Sequence, residues 1–369
     1  MQFGADTECR RKRQLDVELI RMLAAFFVIF NHTKTNGFFL FSQWDAHSIH
    51  YWVYLFLSIF SKFAVPLFFM ISGSLLLNRP ADSLKKLWLH RILHVLLILL
   101  AWSFFYYMVA VHKGEESFNL IHFLTYFYDS SWNFSYWYLY SYLAFLVLLP
   151  ILQRLAQSLT DREFLYFFLV YGVFYMLTPS VQYFIWQGKH SLYGYAYPSW
   201  ISCNILIFPL AGYFLQHRIR AFWNRKRMLL LWGINICAIL FSCYLTYRKA
   251  IVTGVCDEAN SQTFHNTFVL LNSGTIFVTC QYLNHHTRVL EKLKKPICSV
   301  GGCTLGIYLL HIFFRDSTPL YTKILDTAQN RLHLSTMFST LTYCAVVYLL
   351  GYAITLILKR IPVLRKLVS

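Results

Sequence analysis

Polar residues interrupt this chain only at wide intervals. Between them lie ten stretches in which nearly every position is apolar, at residues 17–40, 51–77, 92–111, 135–152, 164–186, 200–216, 228–247, 264–283, 301–314 and 336–358. Most reach the ~20 residues that a helix needs to cross a hydrocarbon core of ~30 Å. The ninth is short and is expected to run a few residues further at each end. The pattern predicts an all-α integral membrane protein of about ten transmembrane helices, spanning residues 17–358.

The cations supply the orientation. Seven of the 33 Lys and Arg fall in alternate connections (Lys113, Lys189, Arg248, Lys249, Arg315, Lys323 and Arg331), and three lie inside apolar stretches (Arg21, Lys34 and Lys62). The remaining 23 lie in segments 1–16, 78–91, 153–163, 217–227, 284–300 and 359–369. Cytoplasmic loops collect Lys and Arg, so both termini are expected in the cytoplasm. Residues 1–16 then form a basic N-terminal segment and residues 359–369 a basic tail.

Composition agrees with a single membrane domain. Hydrophobic residues are 57% and charged residues 13% of the 369 positions, against roughly a quarter charged in a soluble domain. The 26 Tyr and 10 Trp are enough for interfacial belts. The net charge of +17 is then topology near anionic lipid, and no nucleic-acid partner is expected. The run Arg10–Arg13 precedes an apolar stretch too long for a cleavable signal, which reads as an uncleaved first span. The nine Cys show no disulfide or zinc spacing. "NHH" at 284–286 has no companion carboxylates, and Asp45, His47 and His50 read as a solvated loop, so no metal is expected. The segment 112–134 is amphipathic and aromatic enough to lie on the outer leaflet. No transporter-like internal repeat is visible.

Ionisable residues within a span are costly and point to function. The first stretch carries Glu18, Arg21 and His32. Arg21 and His32 are eleven positions apart, which on a helix is ~1100°, about 20° from three full turns, with an axial separation of ~16 Å. Both should project from one face, with Glu18 beside Arg21 to neutralise it. The plain alternative is an Arg reaching the inner headgroups and a His satisfied in the bundle core. Lys34 and Lys62 are expected to snorkel.

Three further strings matter: "AVPLFFMISGSLLL" at 64–77, "WYLYSYLAFLVLLPI" at 137–151 and "SVGGCTLGIYLLH" at 299–311. Together with Glu18, Arg21 and His32, and in this order from residue 14 to about 358, they resemble the acyltransferase-3 family of membrane acyltransferases. In size and layout the chain is similar to members that O-acetylate enterobacterial common antigen. The family's signature pair, an Arg and a His eleven residues apart, is matched by Arg21 and His32. Its basic pair before the third span is matched by Arg91 alone, because Trp88 occupies the other place, with Lys85 and Lys86 nearby. Glu18 stands where members often carry Asp.

The resemblance implies transfer of an acyl group, commonly acetyl, from cytoplasmic acyl-CoA to a hydroxyl of a lipid-linked or surface saccharide at the outer face of the cell membrane. Residue chemistry is compatible with this. CoA phosphates need cations, and Arg21, Arg91, Lys85 and Lys86, with Glu18 beside Arg21, belong near the inner face. The pantetheine arm would carry the thioester from there toward His32, which acts as general base or is itself transiently acylated. Asn31, Ser72, Trp137 and Tyr138 are candidates by position to hold substrate or a developing oxyanion. Tyr308 and His311 stand with them, His311 also reading as a partner that orients another polar group. No "GxSxG" elbow exists, and Ser72 reads equally as a small packing residue. A transporter or flippase of a lipid-linked saccharide or proton-coupled solute is the rival reading, and a membrane sensor that kept the fold without the chemistry is a third. Self-association is left open.

Overall fold

The computed structural model describes residues 14–80, 82–256, 264–287 and 289–368. Most of the basic N-terminal segment, Arg10–Arg13 included, lies outside these residues. Helices account for the architecture, with no strand among the described residues. The first is α1 (Leu15–Asn31). Then come α2 (Ile49–Ser61), α3 (Ala64–Leu76), α4 (Leu93–His112), α5 (Leu120–Asp129) and α6 (Trp137–Ser158). They are followed by α7 (Asp161–Tyr171), α8 (Thr178–Trp186), α9 (Asn204–His217) and α10 (Arg225–Thr253). The last are α11 (Val269–His286), α12 (Lys294–Gly301), α13 (Thr304–Asp316) and α14 (Thr336–Leu358).

Six helical segments are long and apolar enough to cross a membrane: Ile49–Leu76, Leu84–His112, Phe134–Ser158, Asp161–Trp186, Arg225–Thr253 and Thr336–Leu358. A seventh is the bent pair α12 and α13, which meet at 57°. The other three apolar stretches form α1, α9 and α11, of 17, 14 and 18 residues. The chain is thus an all-α multi-pass membrane protein. Its outward side chains agree: Leu165, Tyr166 and Leu169 on α7 are 59–68% exposed, which suits a lipid-facing surface rather than water.

The first apolar stretch departs from expectation. Helix stops at Asn31 instead of continuing to residue 40, and short 3₁₀ turns follow at Lys34–Asn36 and Leu40–Gln43. The Thr33 hydroxyl donates to the Phe30 carbonyl and accepts the Phe38 N–H at 2.9 Å, folding the chain back on itself. Lys34 takes φ +51° in this turn and is exposed, beyond the helix.

A second interruption separates α2 from α3 at Lys62–Phe63, the middle of the 28-residue segment Ile49–Leu76. Pro66 causes it, because it has no N–H to give to the Lys62 carbonyl. Polar side chains from other helices stabilise the opening. Asn272 donates to the Phe60 carbonyl at 2.7 Å, Asn31 to the Ser61 carbonyl at 3.3 Å, and the Ser61 hydroxyl to Asn31 at 2.8 Å. Broken helices at membrane depth persist only where protein satisfies the freed groups in this way.

Helix α1 runs through the centre of the bundle, touching α2, α3, α11, α12, α13 and α14. Helices α3 and α9 cross at backbone contact. A Cβ on Gly73 would lie 1.9 Å from the Pro209 carbonyl oxygen, and one on Gly212 would lie 2.0 Å from that of Met70. The close-packing residue of "ISGS" is therefore Gly73, while the Ser72 hydroxyl donates to the Phe68 carbonyl at 2.8 Å.

Candidate active site

Two cavities flank α1. The first, of about 650 Å³, is lined by Gln14, Val17, Glu18, Arg21, Phe68, Ile71, Ser72, Leu75, Arg79, His94, Val95, Ile98, Tyr138, Leu139, Tyr142, Gly301, Gly302, Thr304, Leu305, Tyr308 and Lys359. The second, of about 530 Å³, is lined by Val28, Asn31, His32, Lys62, Val65, Pro66, Phe69, Trp137, Tyr171, Tyr175, Pro179, Ser202, Asn204, Phe208, Asn266, Thr267 and Val269. Both volumes suit a bound small molecule.

Arg21 therefore lines one cavity and His32 the other. Consecutive residues make the divide: Phe68 lines the Arg21 cavity and Phe69 the His32 cavity, as do Tyr138 and Trp137. Aromatic rings fill the wall. Tyr138 lies 5.0 Å from Phe69 and 5.8 Å from Tyr308, and Tyr308 lies 5.7 Å from His311 (ring centroids). The wall is built by α3, α6 and α13, about which the phase of α1 carries no information.

In the Arg21 cavity, Glu18 is buried and takes the Arg21 guanidinium at 2.9 Å, as the three-residue spacing predicts. Its other oxygen has no hydrogen-bond partner and presses on the break between α12 and α13, where a Cβ on Gly301 would come within 2.3 Å of it. Arg79, His94 and Lys359 add basic side chains that sequence reasoning did not assign. Lys359 also donates to the Gly302 carbonyl. Ser72, Tyr138 and Tyr308 belong to this cavity, whereas Asn31 and Trp137 belong to that of His32.

Arg91, Lys85 and Lys86 line neither cavity. Asp82 holds two of them, with Arg91 at 2.7 Å and Lys86 at 3.1 Å. The hydrogen bond from Lys86, and then that from Arg91, pulls the Asp82 carboxyl below its ordinary value. A depressed carboxyl stabilises the fold above its unfolded pKa, and that contribution is lost as pH falls through the folded value. Amide protection over residues 83–91, corrected for intrinsic exchange, should hold from neutrality to about pH 4 and then decline. D82N should show the reduced protection at every pH.

His32 caps the C-terminal end of α1. Its Nδ1 lies 2.8 Å from the Val28 carbonyl oxygen and 3.1 Å from Nε2 of the buried His311. The Nδ1 of His311 bonds in turn to the Tyr308 carbonyl. A carbonyl only accepts, so in the neutral pair both Nδ1 atoms carry the protons. The Nδ1–H of His32 is shared between Val28 and His311, which leaves the His32 Nε2 lone pair free. An imidazole with one nitrogen fixed by acceptors and the other open has the form of a general base.

The surroundings of this ring come from distant segments. Arg315 donates to the His32 carbonyl at 2.7 Å and is held by a forked pair with Asp316. Phe134 meets the His32 ring edge-on at 5.3 Å and lies under the Arg315 guanidinium at 5.0 Å. Tyr106 enters the ladder of α13 beside His311, accepting from Phe313 N–H at 2.9 Å and donating to the Leu309 carbonyl at 3.0 Å. Lys62, expected to snorkel, instead lines the cavity with its ammonium 4.9 Å from the Phe38 ring centroid. None of these partners has a local sequence signal. Only the cost of a charge at mid-span singles out Lys62.

His50 stacks on Trp44 at 4.2 Å, Asp45 accepts the His47 backbone N–H, and none of Asp45, His47 or His50 lines either cavity. No group of three His, Cys, Asp or Glu side chains is placed to hold a metal among the described residues.

A family model described as an acyltransferase domain matches residues 14–360. Neither the curated proteins nor the solved structures contain a match to the chain.

Proposed function

From the premise that this chain belongs to the acyltransferase-3 family and is a membrane acyltransferase, we propose that it carries an acyl group, acetyl by preference, from acyl-CoA in the Arg21 cavity to a saccharide hydroxyl in the His32 cavity. The observation that carries this reading is the pairing of a cation-lined cavity with an imidazole-lined one across a single aromatic wall. All ten apolar helices are read as spans of the cell membrane with both termini cytoplasmic, since 23 of the 33 Lys and Arg then lie inside. The Arg21 cavity then opens toward cytoplasmic donor, and the His32 cavity toward an acceptor at the outer face.

Each cavity suits its task. Arg21, Arg79 and Lys359 offer the guanidinium and ammonium groups that CoA phosphates require. The acceptor hydroxyl gives its proton to His32 Nε2 while its oxygen attacks the thioester carbonyl carbon. The indole N–H of Trp137 and the amide of Asn31, both in the lining of the His32 cavity, are the candidate donors to the oxyanion. Collapse breaks the carbon–sulfur bond, and the CoA thiolate takes the proton back from the imidazolium. The thioester must pass the wall at Phe68–Phe69 and Trp137–Tyr138, so rotation of these rings is part of the cycle. His311 and the Val28 carbonyl orient the base, as the third group of a catalytic triad does.

The decisive experiment is transfer of labelled acetyl from acetyl-CoA to lipid-linked saccharide by purified protein in nanodiscs. Release of label only as free acetate, with no acetylated saccharide, would overturn the reading. Arg21→Ala should weaken binding of a non-hydrolysable acyl-CoA about 10- to 100-fold, the worth of one charged hydrogen bond. Titration by thermal shift measures this, and unchanged affinity would move the donor elsewhere. The same two-cavity layout also suits a flippase of lipid-linked saccharide, which predicts saccharide transfer across liposomes with no acyl donor present.

A further inference from the structure

We propose that Lys62 is the counter-charge for an anionic acceptor, so that the saccharide in the His32 cavity carries a carboxylate or phosphate beside the hydroxyl to be acylated. This rests on the functional reading above and narrows it to a substrate class.

Position is the first argument. Lys62 lies at the centre of the 28-residue segment Ile49–Leu76, about 20 Å along the helix from either end at 1.5 Å per residue. A four-carbon stem cannot cover that distance, so the ammonium cannot reach headgroups. It points into the cavity that it shares with His32.

Pairing is the second. Among the described residues no carboxylate lies within ion-pair distance of Lys62, and no Asp or Glu lines the cavity. Its ammonium lies over the face of Phe38 at 4.9 Å. A cation–π contact offsets only part of the desolvation of an ammonium at mid-membrane. Arg315, the cation that holds the His32 carbonyl, is already engaged by Asp316. Lys62 is therefore the lining cation left without a counter-ion among the described residues, as expected of a group whose partner arrives with the substrate.

The rest of the lining fits a sugar. Asn31, Asn204 and Asn266 are neutral groups that donate and accept, and Trp137 offers an aromatic face. Such a lining orients hydroxyls but supplies no charge of its own. An anion bound at Lys62 would place one end of the sugar, and the amides would turn a hydroxyl toward His32.

The test is binding of three alkyl glycosides to the full-length protein in nanodiscs, followed by tryptophan fluorescence: a neutral glucoside, a glucuronide and a glucoside 6-phosphate. The wild type should bind at least one anionic probe 10-fold or more tightly than the neutral one. Whichever of the two is preferred distinguishes carboxylate from phosphate. Lys62→Met, which keeps the stem, should erase the preference without lowering the melting temperature, and Lys62→Arg should retain it. Equal binding of all three probes by the wild type, no binding of either anionic probe, or a preference that survives in Lys62→Met would overturn the proposal. Acetyl transfer is assayed separately. Equal acetylation of neutral and anionic probes sinks the anionic acceptor and leaves the enzyme standing. Lys62-dependent anion binding with no transfer to any saccharide sinks the enzyme reading and keeps the site.

Discussion

His32→Ala should lower acyl transfer by about 10²- to 10⁴-fold, the range that general acid–base catalysis supplies, while donor affinity is unchanged. The separation is expected because His32 lines one cavity and Arg21 the other. A substitution that removes the base leaves the cation-lined cavity intact. Single-turnover transfer and acyl-CoA binding, measured on the same preparation, check the two halves of this statement. His311→Gln provides the sharper control. A glutamine amide oxygen can still accept from His32 Nδ1–H, at present 3.1 Å from the His311 ring nitrogen. A smaller loss than in His311→Leu would show that accepting this proton is the ring's task. Equal, complete loss in both would instead indicate direct participation. Normal acetylation by His32→Ala would remove the base assignment altogether.

Gly73→Ala and Gly212→Ala should be the most damaging conservative substitutions for folding. The added methyl carbon would stand 1.9 Å from the Pro209 carbonyl oxygen in one case and 2.0 Å from that of Met70 in the other. Backbone atoms cannot rotate aside, so α3 and α9 must separate. Overpacking a close core commonly costs about 1–3 kcal/mol, and a backbone clash of this depth belongs at or above the top of that range. Small residues at membrane helix crossings exist to allow such approach. Gly233→Ala on α10 is the matched control, since a Cβ there meets nothing within 4 Å. Helix propensity alone predicts that it gains up to about 1 kcal/mol. Melting temperature and monodispersity in detergent distinguish the outcomes. Tolerance of Gly73→Ala would mean that the two helices are not packed this closely.

Near-neighbour chemistry was legible in the sequence. Glu18 and Arg21 are three residues apart on a helix and form the ion pair that the spacing requires. The break between α2 and α3 also has a local cause in Pro66. Less accessible was the function of the basic loop. Arg91 and Lys86 are drawn to Asp82, nine and four residues before them, and not to the cavity that their position near the inner face suggested. Charge counting assigns a side of the membrane but cannot choose between a nearby carboxylate and a distant ligand.

By itself the sequence determined that this is a helical, multi-pass membrane protein, and its ordered motifs identified the acyltransferase family that the match over residues 14–360 confirms. Hydrophobic run length and helical period are local properties, so a linear reading recovers them. Tertiary structure alone decided that Arg21 and His32 face separate cavities, that His311 lies against His32 across 279 positions, and that Lys62 enters the same cavity. Those placements depend on which helices cross at Gly73 and Gly212 and where α12 bends into α13. Lipid outside the bundle and apolar side chains within it satisfy the same hydrophobic pattern. Only the packed arrangement distinguishes a residue that lines a cavity from one that faces lipid.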